Sequence, residues 1–126
     1  MKLKIHAPKR AQGVIKCAIH RSGKLGFSKE AINIMELSPE KSVQIATNEE
    51  NPDDTNLYLI VLENQIEEAY RIIKAGAYYY LNTKRFFDEF DVDYINKRII
   101  YDVIPFDFEG QKMFKLKRRE KSRQKN

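Results

Sequence analysis

The chain has 126 residues, enough for one compact domain with a buried core but too few for two domains of ordinary size. Apolar residues make up 42% of it, including seven Phe and seven Tyr, which excludes a wholly disordered chain. A single cysteine, Cys17, excludes an internal disulfide. The longest apolar run, residues 57–62, is far short of the about 20 residues of a membrane span. The first residues are charged, which is unlike a secretory leader, so we expect a cytoplasmic protein with no membrane partner.

Positive charge is concentrated at the two ends of the chain. Residues 1–28 contain seven Lys or Arg and no Asp or Glu. Residues 29–111 contain eight basic and 17 acidic residues, and residues 112–126 contain eight basic residues and one acidic residue. The net charge of +5 therefore conceals an acidic middle between two basic ends. Because clustered cations attract polyanions, nucleic acid is the expected partner.

The first half of the chain predicts several short strands and one helix. The predicted strands are residues 2–6, 14–20, 24–27, 43–47 and 57–62, with a connection at 8–13. Ser28 is a candidate N-cap for a helix over 29–37, because its hydroxyl can accept a free N–H of the first turn. Residues 57–62 are apolar on both faces, which predicts a strand in the middle of the structure.

The second half repeats the same order of elements. Its predicted strands are residues 69–74, 78–81, 99–108 and 113–117, with turns at Gly76 and at Glu109-Gly110. Asn82-Thr83 is a candidate cap for a helix over 84–91. A constant offset of 55 residues aligns the two halves. The aligned pairs include Ser28 with Thr83, Ala31 with Phe86, Met35 with Phe90 and Ile45 with Ile100.

This alignment predicts one domain, residues 1–118, made of two diverged repeats at about 14–63 and 69–118. Residues 119–126 are expected to form a flexible basic tail. The predicted fold class is β-rich α+β, a small barrel-like fold with pseudo-twofold symmetry and two short helices. The alternative is two unrelated stretches that share generic patterning.

Residues 18–62 resemble the swapped-hairpin domain of SpoVT/AbrB-type transcription factors and MazE-type antitoxins. The resemblance rests on Gly23-Lys24 after a strand, an apolar strand entering a capped helix, and a closing hairpin at 43–62. Members of that family dimerise by exchanging hairpins to close a barrel. Two fused copies would therefore form a pseudo-dimeric monomer, with a homodimer as the other possibility, and DNA would be the expected ligand rather than RNA.

Two basic groups are the candidate nucleic-acid contacts, through a turn with a helix start and through the C-terminal segment. They are Arg21, Lys24 and Lys29 in the first group, and Lys115, Lys117, Arg118 and Arg119 in the second. Tyr78 and Tyr80 are candidates for stacking on bases, since cations interleave with them. The alternatives are an ordinary charged surface, a solubilising tail and tyrosines that belong to the core.

Catalysis and metal binding are not expected. Cys17 and His20 are three residues apart, which in a strand places them on opposite faces, and no acid completes a hydrolytic triad near His20. We expect no catalytic residue, no metal site and no cofactor. The sequence favours a DNA-binding protein of the transcriptional-regulator type. Two alternatives stay open: a single-stranded DNA or RNA binder of the repeated ββββα kind, and a protein-interaction module resembling an antitoxin or a phage-encoded accessory factor.

Overall fold

The structure, a computed structural model, describes residues 1–6 and 15–122, which contain nine β-strands and two short α-helices. The strands are β1 Lys16–Ile19, β2 Leu25–Phe27, β3 Ser42–Ala46, β4 Leu57–Leu62, β5 Tyr70–Arg71, β6 Ile73–Ala75, β7 Tyr78–Leu81, β8 Lys97–Phe108 and β9 Gln111–Ser122. The helices are α1 Lys29–Met35 and α2 Lys84–Glu89. The predicted connection at 8–13 and residues 123–126 of the predicted tail lie outside the described residues.

The nine strands form one antiparallel sheet in the order β5-β3-β4-β9-β8-β1-β2-β7-β6. Its two outermost strands, β5 and β6, are consecutive in sequence and only Ile72 separates them. The sheet is therefore nearly closed and barrel-like, which confirms the predicted β-rich fold with two short helices. β4 pairs with β3 on one side and β9 on the other, as expected of a strand in the middle of the structure.

The predicted strand at 69–74 is wrong as a single element. It breaks at Ile72, so that β5 pairs with β3 while β6 pairs with β7. Ile72 is buried at 3% exposure. Its burial in the core holds the chain where it passes from one edge of the sheet to the other.

The core fills the inside of the sheet. On β1 the alternation is as predicted, because Cys17 and Ile19 are buried while Lys16 is exposed. Cys17 lies opposite Tyr101 of β8 and opposite Phe27 of β2, and all three side chains are buried. Burial, followed by the negative charge of Asp102, raises the pKa of the Cys17 thiol far above its usual range.

Helix α1 is capped at both ends. The Ser28 hydroxyl accepts the Ala31 N–H at 3.1 Å, as the predicted cap requires. Glu36 ends the helix in the left-handed conformation at φ 53°, and its N–H bonds to Asn33 and Ile32 carbonyls. Met35, in the last turn, is buried against the core.

Helix α2 differs from its prediction in two respects. Thr83 precedes it but makes no capping hydrogen bond, because its hydroxyl bonds instead to the backbone around β2. Phe87 is fully buried, whereas Phe90 is 55% exposed. The expected equivalence of Phe90 with buried Met35 is therefore wrong.

The two ends of the chain also differ from expectation. The predicted strand at 2–6 is absent; residues 1–6 form no regular structure, and Leu3 and Ile5 are exposed. At the other end β9 continues to Ser122, paired with β8 along its whole length. Residues 119–122, expected in the flexible tail, thus lie in a strand because β8 offers them backbone partners from Lys97 onward.

Candidate nucleic-acid interface

The outer side of the sheet presents one basic surface across β9, β8, β1, β2 and β7. Directly paired residues of neighbouring antiparallel strands point to the same side of a sheet. Arg119 pairs with Ile100, Ile100 with Ala18, Ala18 with Gly26, and Gly26 with Tyr80. These five residues form one row across five strands.

Two further rows flank this one. On one side Lys117 pairs with Asp102 and Asp102 with Lys16. On the other side Lys121 pairs with Arg98. Side chains alternate along a strand, so Lys24 shares the side of Gly26, and Tyr78 shares that of Tyr80. We call this surface the basic face: Lys16, Lys24, Arg98, Lys117, Arg119 and Lys121, with Tyr78 and Tyr80.

Charge on the basic face is strongly one-sided. Its six cations are accompanied in these rows by one acid, Asp102, whose Oδ1 lies 2.8 Å from Nη2 of Arg119. The two contacting atoms are buried, although the Asp102 and Arg119 side chains as a whole are 19% and 39% exposed, and the two charges cancel locally. The remaining cations leave an excess of positive charge that attracts a polyanion.

A shallow pocket of about 270 Å³ lies in the middle of the basic face. Gly26 and Ala18 contribute to its lining, together with Lys16, Arg98 and Tyr78. The Tyr78 hydroxyl is buried and has no hydrogen-bond partner within the described part of the chain. Burial, with a smaller effect of Tyr80, raises the pKa of Tyr78, so this hydroxyl keeps its proton at neutral pH and is available as a donor.

The aromatic side chains of the basic face pack on one another. The Tyr78 and Tyr80 rings are stacked with centroids 5.9 Å apart, and the His20 ring meets Tyr78 edge-on at 5.4 Å. Nζ of Lys24 lies 4.5 Å from the Tyr80 centroid, which is a cation–π contact. Both tyrosines therefore already have neighbours against their rings.

The structure brings together some of the predicted contact residues and separates others. Lys24, Lys117 and Arg119 lie on the basic face with both tyrosines, and Arg21 is exposed in the turn that follows β1. Lys115 is on the same side of β9 but lies opposite Ile104, beyond the three rows. Lys29 is exposed at the start of α1, on a helix of only seven residues.

Arg118 is on the opposite side of β9 from the basic face. It pairs with buried Tyr101, and its Nη2 lies 2.6 Å from Glu120 Oε1. Its side chain is only 13% exposed. Arg118 therefore does not share the basic face with Lys117 and Arg119, because alternate residues of a strand face opposite ways.

Two cations of the basic face are not among the predicted contacts: Lys16 and Arg98. Lys121 belongs to the basic C-terminal segment, and the odd-numbered residues 115–121, which face one side of β9, are all basic. Lys16 was assigned correctly to the outer side of β1 but not to a site. The position of Arg98 on the basic face depends on the pairing of β8 with β9, which no local sequence pattern specifies.

Neither helix in residues 1–6 and 15–122 is long and apolar enough to cross a membrane. No protein-family model, curated protein or solved structure matches this chain, so the geometry of the basic face is the basis for a functional assignment.

Proposed function

We propose that this protein binds nucleic acid through the basic face, and that its ligand is duplex DNA contacted mainly at the phosphates. The observation that supports this most directly is the alignment of six Lys and Arg side chains from four neighbouring stretches of chain on one side of the sheet, against a single acid. Cations gathered in this way displace the counterions condensed on DNA, which favours binding without requiring base contacts.

The central pocket suits a phosphate group. Lys16, Arg98 and Tyr78 contribute to its lining, and the Tyr78 hydroxyl is a buried neutral donor without a partner in the described part of the chain. A phosphate oxygen that reached this hydroxyl would satisfy a buried polar group that otherwise lacks a partner. Arg21, in the turn before Lys24, borders the face and extends the positive surface in the direction expected from the family resemblance.

A single-stranded ligand is the second candidate, and the two tyrosines favour it. Bases stack on aromatic rings beside backbone-binding cations in many single-strand binders. Tyr80 already has Lys24 and Tyr78 against its ring. A base would therefore have to displace one of these contacts, which is why duplex DNA is the first proposal.

We also propose that the chain is a fused pseudo-dimer of two swapped-hairpin repeats. Leu59 of β4 pairs with Phe114 of β9, its counterpart at an offset of 55, as expected on a twofold axis. Lys16 pairs with Asp102 and Ser42 with Arg71. An offset of 55 makes Arg71 the counterpart of Lys16, and an offset of 60 makes Asp102 the counterpart of Ser42. Each of the two pairs is therefore the counterpart of the other.

The offset of 60 differs from the sequence alignment, which matches Ile45 with Ile100 at an offset of 55. With the larger offset, the counterpart of β3 lies five residues later in β8. Five extra residues before β8 are balanced by a shorter connection between β8 and β9, which consists of Glu109-Gly110 alone. A second departure lies at β2 and β7, where buried Leu25 would match half-buried Tyr80 at an offset of 55. The pairings of β4 with β9, β1 with β8 and β3 with β5 support the repeat, whereas the β2–β7 pair and the unequal burial of Met35 and Phe90 weaken it.

The proposed repeat explains why the cations of β9 on the basic face have no basic counterparts in the first half of the chain. The counterparts of Lys117, Arg119 and Lys121 at an offset of 55 are Leu62, Asn64 and Ile66, none of which is charged. The chain would therefore offer one DNA surface rather than two, and we expect one duplex site per chain.

The test is fluorescence anisotropy of labelled duplex DNA over a salt series. If all six cations contact phosphates, log affinity should fall with log salt at a slope of about −5. Arg98→Ala should reduce the slope by about 1 and weaken all sequences alike. The matched control is Lys97→Ala, because Lys97 is the adjacent residue, faces the other side of β8 and pairs with Glu120.

The outcomes separate the proposals. Equal effects of Arg98→Ala and Lys97→Ala would refute binding through the basic face. Tighter binding of single strands than of duplex at every salt concentration would favour the second candidate. No binding of either at low salt would overturn the nucleic-acid proposal.

A further inference from the structure

A second cavity, separate from the basic face, lies between the β3–β4 connection and α2. Its volume is about 310 Å³, at the lower end of the range of about 300–1,000 Å³ typical of small-ligand sites. Its walls combine aromatic rings from β8 and from α2 with the residue after it, a few aliphatic side chains, and polar side chains from the connection and from β9. A site of this size and composition suits a ligand of one or two fused rings.

The aromatic wall contains Phe86, Phe90 and Tyr101. Phe86 and Phe90 lie with ring centroids 4.7 Å apart, and Phe90 is 55% exposed at the rim. A ligand that lies against this half-exposed ring buries more of its apolar area, and a flat ring covers the largest part of its face. This wall therefore favours a planar ligand.

The polar wall contains one donor without a partner. Nε of Arg118 is buried and has no hydrogen-bond acceptor in the described part of the chain, while Nη2 of the same side chain is held by Glu120. An acceptor atom on a ligand would satisfy this N–H. Since Glu120 already neutralises the guanidinium, the acceptor need not be charged.

The charged side chains around the cavity already have partners. Asp54 lines it and accepts hydrogen bonds from the Tyr58 hydroxyl at 2.7 Å, the Asn56 N–H at 2.9 Å and the Asn48 amide at 3.2 Å. The Tyr58 hydroxyl, followed by the Asn56 N–H, lowers the pKa of Asp54, so this carboxyl is ionised at neutral pH. Glu120 is shared by Arg118 and Lys97, so the charges of these three groups and of Asp54 balance, and a neutral ligand needs no counter-charge here.

We propose that this cavity binds a single nucleobase, a neutral planar heterocycle that carries its own acceptors and donors. Its ring would lie against Phe86 and Phe90, and one of its acceptors would receive the free N–H of Arg118. The base could be part of a free nucleoside or an unpaired nucleotide in a strand, and the recognition chemistry is the same for both. The inference is independent of the basic face, which contacts phosphates.

The experiment titrates the full chain with adenosine, guanosine, cytidine and uridine, and follows the aromatic and Arg side-chain NMR signals. At least one nucleoside should shift the Phe86, Phe90 and Arg118 Nε–H signals. Phe90→Ala should weaken its binding about tenfold, in line with the value of a base–aromatic stack. Phe108→Ala is the matched control, because Phe108 is 56% exposed and lies at the far tip of the β8–β9 hairpin, so affinity should not change.

A second arm identifies the source of the base. The same signals are followed with a single-stranded oligonucleotide and with its abasic analogue. Larger shifts with the oligonucleotide indicate that the site binds a nucleotide in a strand. Equal shifts with the two oligonucleotides indicate that it binds a free nucleoside. Arg98→Ala should leave nucleoside affinity unchanged, so failure of DNA binding and failure of this site are separate results. If no nucleoside shifts the cavity signals up to its solubility limit, or if Phe90→Ala and wild type bind alike, the proposal is overturned.

Discussion

Gly26 lies directly under the side chain of Tyr78 on the outer side of the sheet. A Cβ atom at position 26 would overlap the Tyr78 hydroxyl, and the ring carbon that bears this hydroxyl would be 2.7 Å away. Gly26 is paired with Ala18 on one side and Tyr80 on the other, so neither strand can move aside freely. The absence of a side chain at Gly26 thus leaves room for the Tyr78 side chain, which lines the central pocket of the basic face.

The first prediction concerns this close contact. Gly26→Ala should destabilise the protein by about 1–3 kcal/mol, because the new methyl group overpacks the space that Tyr78 occupies. The cost should be smaller in a Tyr78→Phe background, since the nearest clashing atom is then removed. Urea unfolding of the two single variants and the double variant measures this coupling. Additive effects within error would show that Tyr78 does not limit position 26.

The second prediction concerns Thr83, a fully buried polar residue that links two segments far apart in sequence. Its hydroxyl accepts the Leu25 N–H at 3.0 Å and donates to the Gly23 carbonyl at 2.9 Å. Thr83→Val should cost about 1–3 kcal/mol, because both backbone groups lose their partner inside the core. Thr83→Ser keeps the hydroxyl and is the control. It should retain most of the stability in urea unfolding, and equal losses in the two variants would argue against a hydrogen-bonding role.

Local chemistry explains which elements could be predicted from the sequence. The Ser28 cap, the alternation around Cys17 and the apolar segment 57–62 all depend on a few consecutive residues, and each is found as expected. The basic face was only partly predictable. Lys117 and Arg119 could be named from composition, but their alignment with Lys16 depends on the pairing of β9 with β8 and of β8 with β1.

The elements that were predicted wrongly depend on tertiary contacts. The break at Ile72 arises because the chain has to join both edges of a nearly closed sheet, which no local pattern encodes. β9 reaches Ser122 because the equally long β8 provides partners, although its last residues are too charged to suggest a strand. Thr83 looks like a cap in sequence, yet the nearby β2 backbone competes successfully for its hydroxyl.

The third prediction compares Met35 with Phe90, which the sequence alignment treats as equivalent. Met35 is 2% exposed in the core, so Met35→Ala should cost about 2–5 kcal/mol. Phe90 is 55% exposed, so Phe90→Ala should cost less than about 1 kcal/mol. Chemical denaturation of the two variants side by side checks this. A large loss in Phe90→Ala would mean that the second helix packs against the core through Phe90 after all.

The fourth prediction concerns the hydrogen bond from the Tyr58 hydroxyl to Asp54, 2.7 Å long. This bond is the main cause of the lowered pKa of Asp54. A carboxyl whose pKa is lowered on folding stabilises the protein above its unfolded-state pKa of about 3.9, and this contribution disappears as the pH falls through the folded-state value. Tyr58→Phe should therefore be less stable than wild type at pH 7, by no more than about 1 kcal/mol because the carboxylate is partly solvated.

The difference between wild type and Tyr58→Phe should shrink as the pH is lowered below about 4, since protonated Asp54 no longer accepts a charge-assisted bond. Tyr70→Phe is the control, because burial is the main cause of the raised pKa of Tyr70 and its removal should cost the same at both pH values. Urea unfolding of wild type and both variants at pH 7 and pH 3 gives the loss of stability of each variant at each pH. A Tyr58→Phe deficit that stays constant between these pH values would mean that the hydroxyl stabilises the protein independently of the charge on Asp54.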